Sequence, residues 1–369
     1  MDERVITFYG LEGDSMNKDK HIHIHDYDAI FVPFRNNGNE VSLFVVYKAL
    51  MAKYNSYQAI QLLKAFCLTS TSPENQRKGL EFLYMNSFFQ EVKDLIEINK
   101  ASENDENRQW AQVYEIIIGR LGKDKMDPYT ILSTLNNIKP MSEEIELLKI
   151  FLTVYSYNDL QQSGVVSSYF DTLIEHTHQI KDPFMSMYFQ ERLEDFLMFY
   201  HLFRNELILC RKYGYRLLKT THNTYKHSVV HKQLSLTYAL DNYEQAIYHA
   251  NAALHIADEY GYTQISHSVR NNNIPFISAV NGRYENVTTE DRVEQAHLDI
   301  ARGNIKKAVT YLEDIEQRSL FQEYYLGKAL DDEDRLMKVY HSFTRQANYF
   351  AAQFPIKEIR RIRNMDQLA

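Results

Sequence analysis

The sequence predicts an all-α protein, a tetratricopeptide-like right-handed α-solenoid with a small strand-containing N-terminal segment. Only 12 Gly and 7 Pro occur in 369 residues, too few turn-forming residues for a protein of many short strands. Apolar residues recur at helical spacing through most of the chain. Short polar breaks separate the amphipathic segments at intervals close to the length of one helical pair.

Residues 1–40 differ from the rest. The stretches RVITFYG and HIHIHDYDAIFVPF are rich in apolar and β-branched residues with a period of two, which is typical of strands. We therefore predict a β-hairpin or two edge strands over residues 1–34, with Ile22, Ile24 and Ile30 on the apolar face. The whole segment, residues 1–40, carries eight acidic and four basic residues, a net charge of −4.

Three histidines alternate in the second stretch and raise the question of a metal site. In a strand, His21, His23 and His25 would point to one side with about 6.6–7 Å between successive side chains. A zinc site needs three or four convergent ligands, however, and a single strand rarely supplies them. We favour a solvated strand face, and we expect neither a metal nor another cofactor.

Residues 41–369 are predicted to form one helical repeat domain. In its second half, Ala246, Ala250, Ala253 and Ala257 form a stripe of small residues, which lets a neighbouring helix approach closely. In the first half, the successive candidate helices are NSYQAIQLLKAFCLTS, ENQRKGLEFLYMN, SFFQEVKDLIEI, RQWAQVYEIIIGRLG, DPYTILSTLNNI and SEEIELLKIFLTVY.

Polar breaks punctuate the second half of this domain. From Asn205 to Asn242 is 37 residues and from Asn242 to Asn281 is 39, within the range of helical-pair repeats. A stack of such pairs has a concave face that binds ligands. The breaks lie at Arg204–Asn205, Asp241–Asn242, Asn281–Gly282, Gly303–Asn304 and Asp331–Asp332.

One part of this acidic chain is strongly basic. The net charge is −8, which argues against indiscriminate binding of nucleic acid, yet no acidic residue occurs from Leu207 to Leu240. An anion would be the natural partner: a peptide carboxylate, an acidic protein surface or DNA phosphates. The alternative is two helices whose solvated faces are basic. The six cations of this basic band are Arg211, Lys212, Arg216, Lys219, Lys226 and Lys232.

Several function classes are not supported. Cys67 and Cys210 each lie in an apolar helical stretch, which indicates buried thiols in a reducing compartment. The N-terminus does not resemble a signal peptide, and no apolar run approaches the length of a membrane span. We expect a cytoplasmic protein without membrane association. Gly-rich phosphate loops, His-Glu-x-x-His, Cys-x-x-Cys and nucleophile elbows are missing from the sequence, so we do not expect an enzyme.

Five blocks of the sequence resemble, in order and approximate spacing, the arbitrium peptide receptors of Bacillus phages, the AimR family. The resemblance covers roughly residues 35–360. It implies a dimeric helical-repeat regulator that binds a short secreted peptide in its concave groove and controls the lysis–lysogeny decision by binding DNA through a helix-turn-helix. The blocks are LEFLYMNSFFQEVKDLIEI, NELILCRKYGYRLLK, DNYEQA, EQAHLDIARGNIKKAVTYLEDIE and YYLGKAL.

The sequence departs from this family at its N-terminus. A helix-turn-helix needs two amphipathic helices with a basic, polar recognition face, and residues 1–34 are acidic and strand-like. Two outputs therefore remain open. One is transcriptional control through a DNA operator. The other is binding of a partner protein through the N-terminal segment and the helical groove.

The second departure concerns the peptide site that the resemblance implies. Positions where the family uses Asn and Arg are largely apolar here, which implies a different ligand or none, since matched buried polar pairs carry discrimination. The positions implied to contact the peptide are Phe199, Phe203, Tyr225, Leu236, Arg318, Asn348 and Phe350.

Overall fold

Most helices of the chain pack against the next helix in sequence. This computed structural model describes residues 27–36, 39–121 and 125–366, and it confirms the predicted all-α solenoid. The first-half helices are α1 Tyr27–Phe31, α2 Leu43–Lys53, α3 Ser56–Thr69, α4 Pro73–Met85, α5 Phe89–Lys100, α6 Asp105–Gly119, α7 Pro128–Asn137, α8 Glu143–Asp159, α9 Ser163–Ser168 and α10 Phe170–Gln179. The second-half helices are α11 Pro183–Phe203, α12 Leu207–Thr220, α13 Thr224–Thr237, α14 Tyr243–Tyr260, α15 Thr263–Ser268, α16 Ile274–Val280, α17 Arg292–Ala301, α18 Ile305–Glu313, α19 Leu320–Leu330, α20 Glu333–Arg345 and α21 Gln353–Asp366.

The ends of the helices follow local sequence signals. Ser72 accepts a hydrogen bond from the Asn75 amide and Pro73 occupies the first turn of α4, a favourable start because proline lacks only an amide that would be unpaired there. The five predicted breaks all fall between helices. At four of them the chain turns through a left-handed residue, for example Asn205 with φ 60° and Gly303 with φ 82°, which stops a right-handed helix.

The N-terminal prediction is corrected by the structure. Residues 27–34 are a helix, α1, followed by a 3₁₀ turn, and not a strand, because a helical turn lets Phe31 and Phe34 both reach Phe66 of α3, with ring centroids 5.3 Å and 6.3 Å away. A hairpin does occur just after this helix, with β1 Arg35–Asn36 antiparallel to β2 Asn39–Glu40. The other residues of the predicted strands lie outside the described part.

The hairpin is tied to the start of the helical domain. Glu40 accepts hydrogen bonds from the Thr71 amide and the Ser70 hydroxyl, and Arg35 donates to the Thr69 carbonyl at 3.1 Å. These contacts fasten residues 35–40 to the loop between α3 and α4. The domain boundary at residue 40 stays a prediction.

The long helix α11 runs through the centre of the molecule. Its residues from 191 to 202 are all buried. On one side, Arg192 forms a buried ion pair with Glu81 of α4. On the other, Met198 and Leu202 pack with Cys210 in a second hydrophobic core that continues to α21. Cys67 and Cys210 are buried, free thiols, and the predicted alanine stripe of α14 is fully buried.

The C-terminal segment turns back across the preceding helices. The amide of Phe350 donates to the carbonyl of Phe203 at the end of α11 over 3.1 Å. Phe354, in the first turn of α21, lies 4.9 Å from Phe276 of α16 and 6.3 Å from Tyr324 of α19, between ring centroids. The segment therefore closes the second half of the solenoid on itself.

Candidate functional site

Three helices contact the C-terminal segment, and we call their shared surface the inner face. Helices α16 and α19 do so through the rings of Phe276 and Tyr324, and α11 does so through the backbone carbonyl of Phe203. Leu240, just beyond α13, borders the same cavity as Ile356 of α21. In a solenoid of helical pairs, ligands bind to the concave inner surface, so this face is where a peptide site would lie.

The apolar residues implied to contact a peptide occupy several environments. Phe199, Leu236 and Phe350 are at most 3% exposed and belong to the packed interior. Phe203 is partly buried against the second core. Tyr225 is also partly buried, with its ring 5.2 Å from that of Tyr262. Contact of these residues with a peptide stays a prediction. In this conformation Phe199, Leu236 and Phe350 are almost fully buried.

The polar pair of this set has local structural roles. Arg318 donates to Glu323 at 2.6 Å and to the Ile315 carbonyl at 2.8 Å, which joins the end of α18 to α19. Asn348 accepts a hydrogen bond from the Ala351 amide at 3.0 Å and so shapes the turn before α21. Neither is brought next to Tyr225 by a contact that the structure shows.

The structure corrects the picture of the basic band as one positive surface. Arg211 binds Asp241 at 2.7 Å and Arg216 binds Glu194 at 2.5 Å. Lys226, which is buried, binds Asp195 at 2.8 Å. Three of the six cations are thus neutralised by acids that lie outside the acid-free window, mainly on α11.

The remaining three cations differ in exposure. Lys212 and Lys219 are exposed on α12. Lys232 is partly buried on α13, and within the described residues no ion pair joins it to an acid. Burial lowers the pKa of the Lys232 amine to about 8, because removal of water disfavours the charged form. It is the one member of the band that combines burial with the lack of a counterion.

The position of Lys232 follows from its backbone contact. Asn273 donates to the Lys232 carbonyl at 3.4 Å, and Asn273 ends a π-helical turn, Val269–Asn273, between α15 and α16. Val229, one turn earlier on α13, and Ile274 of α16 pack against the same small hydrophobic core. We call this junction of α13 and the π-helical turn the groove. Such turns occur frequently at functional sites.

Unsatisfied polar atoms surround the same junction. The Gln233 and Asn273 side-chain oxygens are buried and lack hydrogen-bond partners in the described part of the chain. Buried polar atoms nearly always have partners. The groove therefore combines an uncompensated cation with unused hydrogen-bonding capacity.

A histidine pair lies on the α14 side of α13. His231 and His249 are joined through their Nδ1 atoms at 2.9 Å, and Tyr215 of α12 bonds His249 Nε2 at 3.0 Å. Burial lowers the pKa of both imidazoles to about 4, so they are neutral at pH 7. We assign this cluster to the packing of three helices.

Glu191 should make the stability of the fold depend on pH. Burial raises the pKa of its carboxyl to about 7, so between its ordinary value and pH 7 the folded state holds more protons than the unfolded state. The free energy of unfolding then falls as pH rises through this window. We expect Glu191→Gln to be more stable than the wild type by about 1–3 kcal/mol at pH 8, and equal at pH 4.5.

Chemical denaturation at pH 4.5, 6 and 8 measures this difference. Glu285→Gln, which changes an exposed glutamate, is the control and should follow the wild type throughout. Parallel curves for wild type and Glu191→Gln across this range would refute the assignment.

Sequence reasoning missed the acids that neutralise the band. A signal was present, since the acidic run ERLED at residues 191–195 lies in α11, the helix that precedes α12. The pairing itself could not be foreseen, because Glu194 and Asp195 meet cations on two different helices. Nothing in the sequence indicated the π-helical turn.

The described residues contain neither a metal-binding cluster nor a membrane-spanning helix. Across residues 27–36, 39–121 and 125–366, no group of three or more His, Cys, Asp or Glu side chains is arranged to hold a metal ion. His21, His23 and His25 lie outside these ranges. Within the same residues, every helix is too short or too polar to cross a bilayer.

Comparison with known proteins agrees with this architecture. The solved structure described as "Structure of phAimR-Ligand" matches with a TM-score of 0.70 at 18% identity, over 87% of this chain and 96% of that one. "Structure of SeMet-phAimR" matches with a TM-score of 0.68 at 19% identity, over 88% and 86%. The uncharacterized protein pXO2-35 of Bacillus anthracis is 25% identical over 227 residues, 58% of this chain and 84% of that protein.

The fold defines a helical-repeat protein of the tetratricopeptide-like class. Residues 59–361 match the family model described as "AimR transcriptional regulator-like". The chain belongs to that family.

Proposed function

We propose that this protein is a peptide-responsive regulator of the phage lysis–lysogeny decision, which acts on transcription in the cytoplasm of the host bacterium. Membership of the AimR-like family supports the regulatory role. The observation that carries the peptide site is Lys232, a partly buried amine with no acidic partner among the described residues.

A peptide carboxylate would supply the counterion that Lys232 lacks in the groove. Lys232 is charged below pH 8 and has lost much of its water, so an incoming carboxylate would form a charge-assisted hydrogen bond in a poorly hydrated place. Val229 and Tyr225, one and two turns earlier on α13, give an apolar wall for side chains. The ligand is therefore a short peptide whose free C-terminal or side-chain carboxylate binds Lys232.

Calorimetric titration with synthetic peptides encoded beside the gene tests the proposal. Lys232→Met should weaken binding of the cognate peptide at least tenfold, the order expected when one charged partner is removed. A peptide with an amidated C-terminus distinguishes the two carboxylate sources. Affinity should fall as pH rises above 8, because the amine loses its proton there, and Lys232→Arg should remove this pH dependence.

The outcomes separate two failures. If no peptide binds the wild type, the receptor function is refuted. If a peptide binds and Lys232→Met leaves its affinity unchanged, the receptor function stands and the role of Lys232 is refuted. Lys219→Met, which removes an exposed cation of the band, is the matched control and should bind as the wild type does.

The output of the receptor is tested with DNA. We propose binding of an operator beside its own gene, and an electrophoretic shift with and without peptide measures it. Acids already neutralise Arg211, Arg216 and Lys226. Lys212→Glu with Lys219→Glu, which reverses two exposed cations of the basic band, should therefore weaken any shift that depends on phosphate contacts of this band. If no DNA binds at low salt, co-purification from the native host tests the alternative, a partner protein bound through the N-terminal segment and the groove.

Size-exclusion chromatography with light scattering tests the proposed homodimer.

A further inference from the structure

The cavity between Leu240 and the C-terminal helix α21 has not been assigned a ligand above. It has a volume of about 580 Å³ and is bounded by Leu240 on one side and by α21 residues from Gln353 to Asn364 on the other. Its lining includes three cations, Lys357, Arg360 and Arg361, and no acidic residue. This volume lies within the range of ligand-binding sites in proteins.

Two of these cations form no ion pair within the described chain. Arg361 binds Glu358 at 2.7 Å and also contacts Asp331. Lys357, by contrast, reaches only the Val280 carbonyl, at 3.5 Å. Arg360 is exposed and forms no ion pair with a described acid.

A comparison within α21 shows that this pattern is not a general property of the helix. Arg363 points away from the cavity and binds Glu333 at 2.6 Å. The helix thus pairs its arginines with acids of the preceding turn and helix where such acids are near. The two cations without an ion pair, Lys357 and Arg360, both line the cavity.

The shape of the cavity selects among anions. Its wall follows α21 from Gln353 to Asn364, about 16 Å at the rise of an α-helix. This length suits an extended chain of about five residues. Ile356 and Leu240 offer apolar contact for methylene groups, while the side-chain amides of Gln353 and Asn364 can donate to main-chain carbonyls.

We propose that this cavity is a docking groove for a short acidic peptide segment of a partner, bound through Lys357 and Arg360. The carboxylates of the bound segment would form ion pairs with Lys357 and Arg360. The apolar stems of its acidic residues would pack on Ile356. This site does not include Lys232 or any residue of the groove. An experiment can therefore refute this proposal without affecting the signal-peptide proposal.

Fluorescence anisotropy of a labelled, N-acetylated tetraglutamate peptide tests the inference on the full chain. The peptide should bind wild type at low salt, and Lys357→Gln with Arg360→Gln should weaken it at least tenfold. Arg363→Gln, on the same helix but outside the cavity, should bind as the wild type does. Tetraglutamine should not compete.

Three results would overturn the proposal. The first is equal binding by the wild type and the double variant, or no binding at low salt. The second is displacement of tetraglutamate by inorganic pyrophosphate at a lower concentration, which would assign the cavity to small phosphate anions. The third is a change in oligomeric state of the double variant by light scattering without peptide, which would assign the cavity to a second copy of the chain. Circular dichroism confirms that each variant is folded.

Discussion

Arg192→Met should destabilise the protein by about 3–5 kcal/mol, because it leaves the Glu81 carboxylate without its counterion in the core. Both side chains are almost completely buried, at 1% and 0% exposure, and they meet in two parallel hydrogen bonds of 2.9 Å and 2.5 Å. The guanidinium also lies 4.6 Å from the centroid of the Tyr84 ring. No water can replace these partners. Chemical denaturation measures the loss.

A second variant separates the cost of an orphaned charge from the cost of lost packing. Adding Glu81→Gln to Arg192→Met removes the uncompensated charge and should recover part of the loss. Arg108→Met is the control, because its ion pair with Asp105 is largely exposed and should contribute less than about 1 kcal/mol. Equal stability of Arg192→Met and Arg108→Met would contradict this account of the core.

Phe354→Ala should have the other large effect, a loss of about 3–5 kcal/mol. The ring is 1% exposed and contacts aromatic rings of α16 and α19 at once, so its removal leaves a cavity where α21 meets the inner face. We also expect α21 to become sensitive to limited proteolysis, since Phe354 and Phe350 together hold the returning segment.

Tyr349→Ala is the matched aromatic control, because that side chain is 39% exposed and should cost about 0.5 kcal/mol or less. Denaturation gives the stabilities, and mass spectrometry of the proteolytic fragments locates the cleavage. If Phe354→Ala is no less stable than Tyr349→Ala, the closure of the solenoid does not depend on this contact.

The helices and their breaks were predictable because both are local properties. Helical periodicity, N-terminal capping residues and turn residues such as Asn205 and Gly303 act within a few positions of the chain. The alanine stripe of α14 predicted close packing for the same reason. The strand predicted for residues 27–34 was wrong because its alternation of apolar residues also fits a helix whose Phe31 and Phe34 both reach one ring of α3.

The candidate site was predictable only as a list of residue types. Six cations in an acid-free window indicated an anion site, yet Lys226 forms an ion pair with Asp195, and Arg211 forms one with Asp241. Leu236 and Phe350 were assigned to a peptide, and they lie in the packed interior. Which cation keeps its charge uncompensated depends on neighbours contributed by other helices, which no window of sequence contains.

By itself, the sequence determined the solenoid, the positions of its breaks and the buried thiols, because these depend on short-range periodicity and burial of apolar side chains. The tertiary structure decided that the C-terminal segment folds back on α11, that the Lys232 amine has no acid beside it, and that Lys357 and Arg360 line one cavity. The reason is physical. Electrostatic and packing energies depend on distances in space, and residues as far apart in the chain as Phe203 and Phe350 become neighbours only when the superhelix closes.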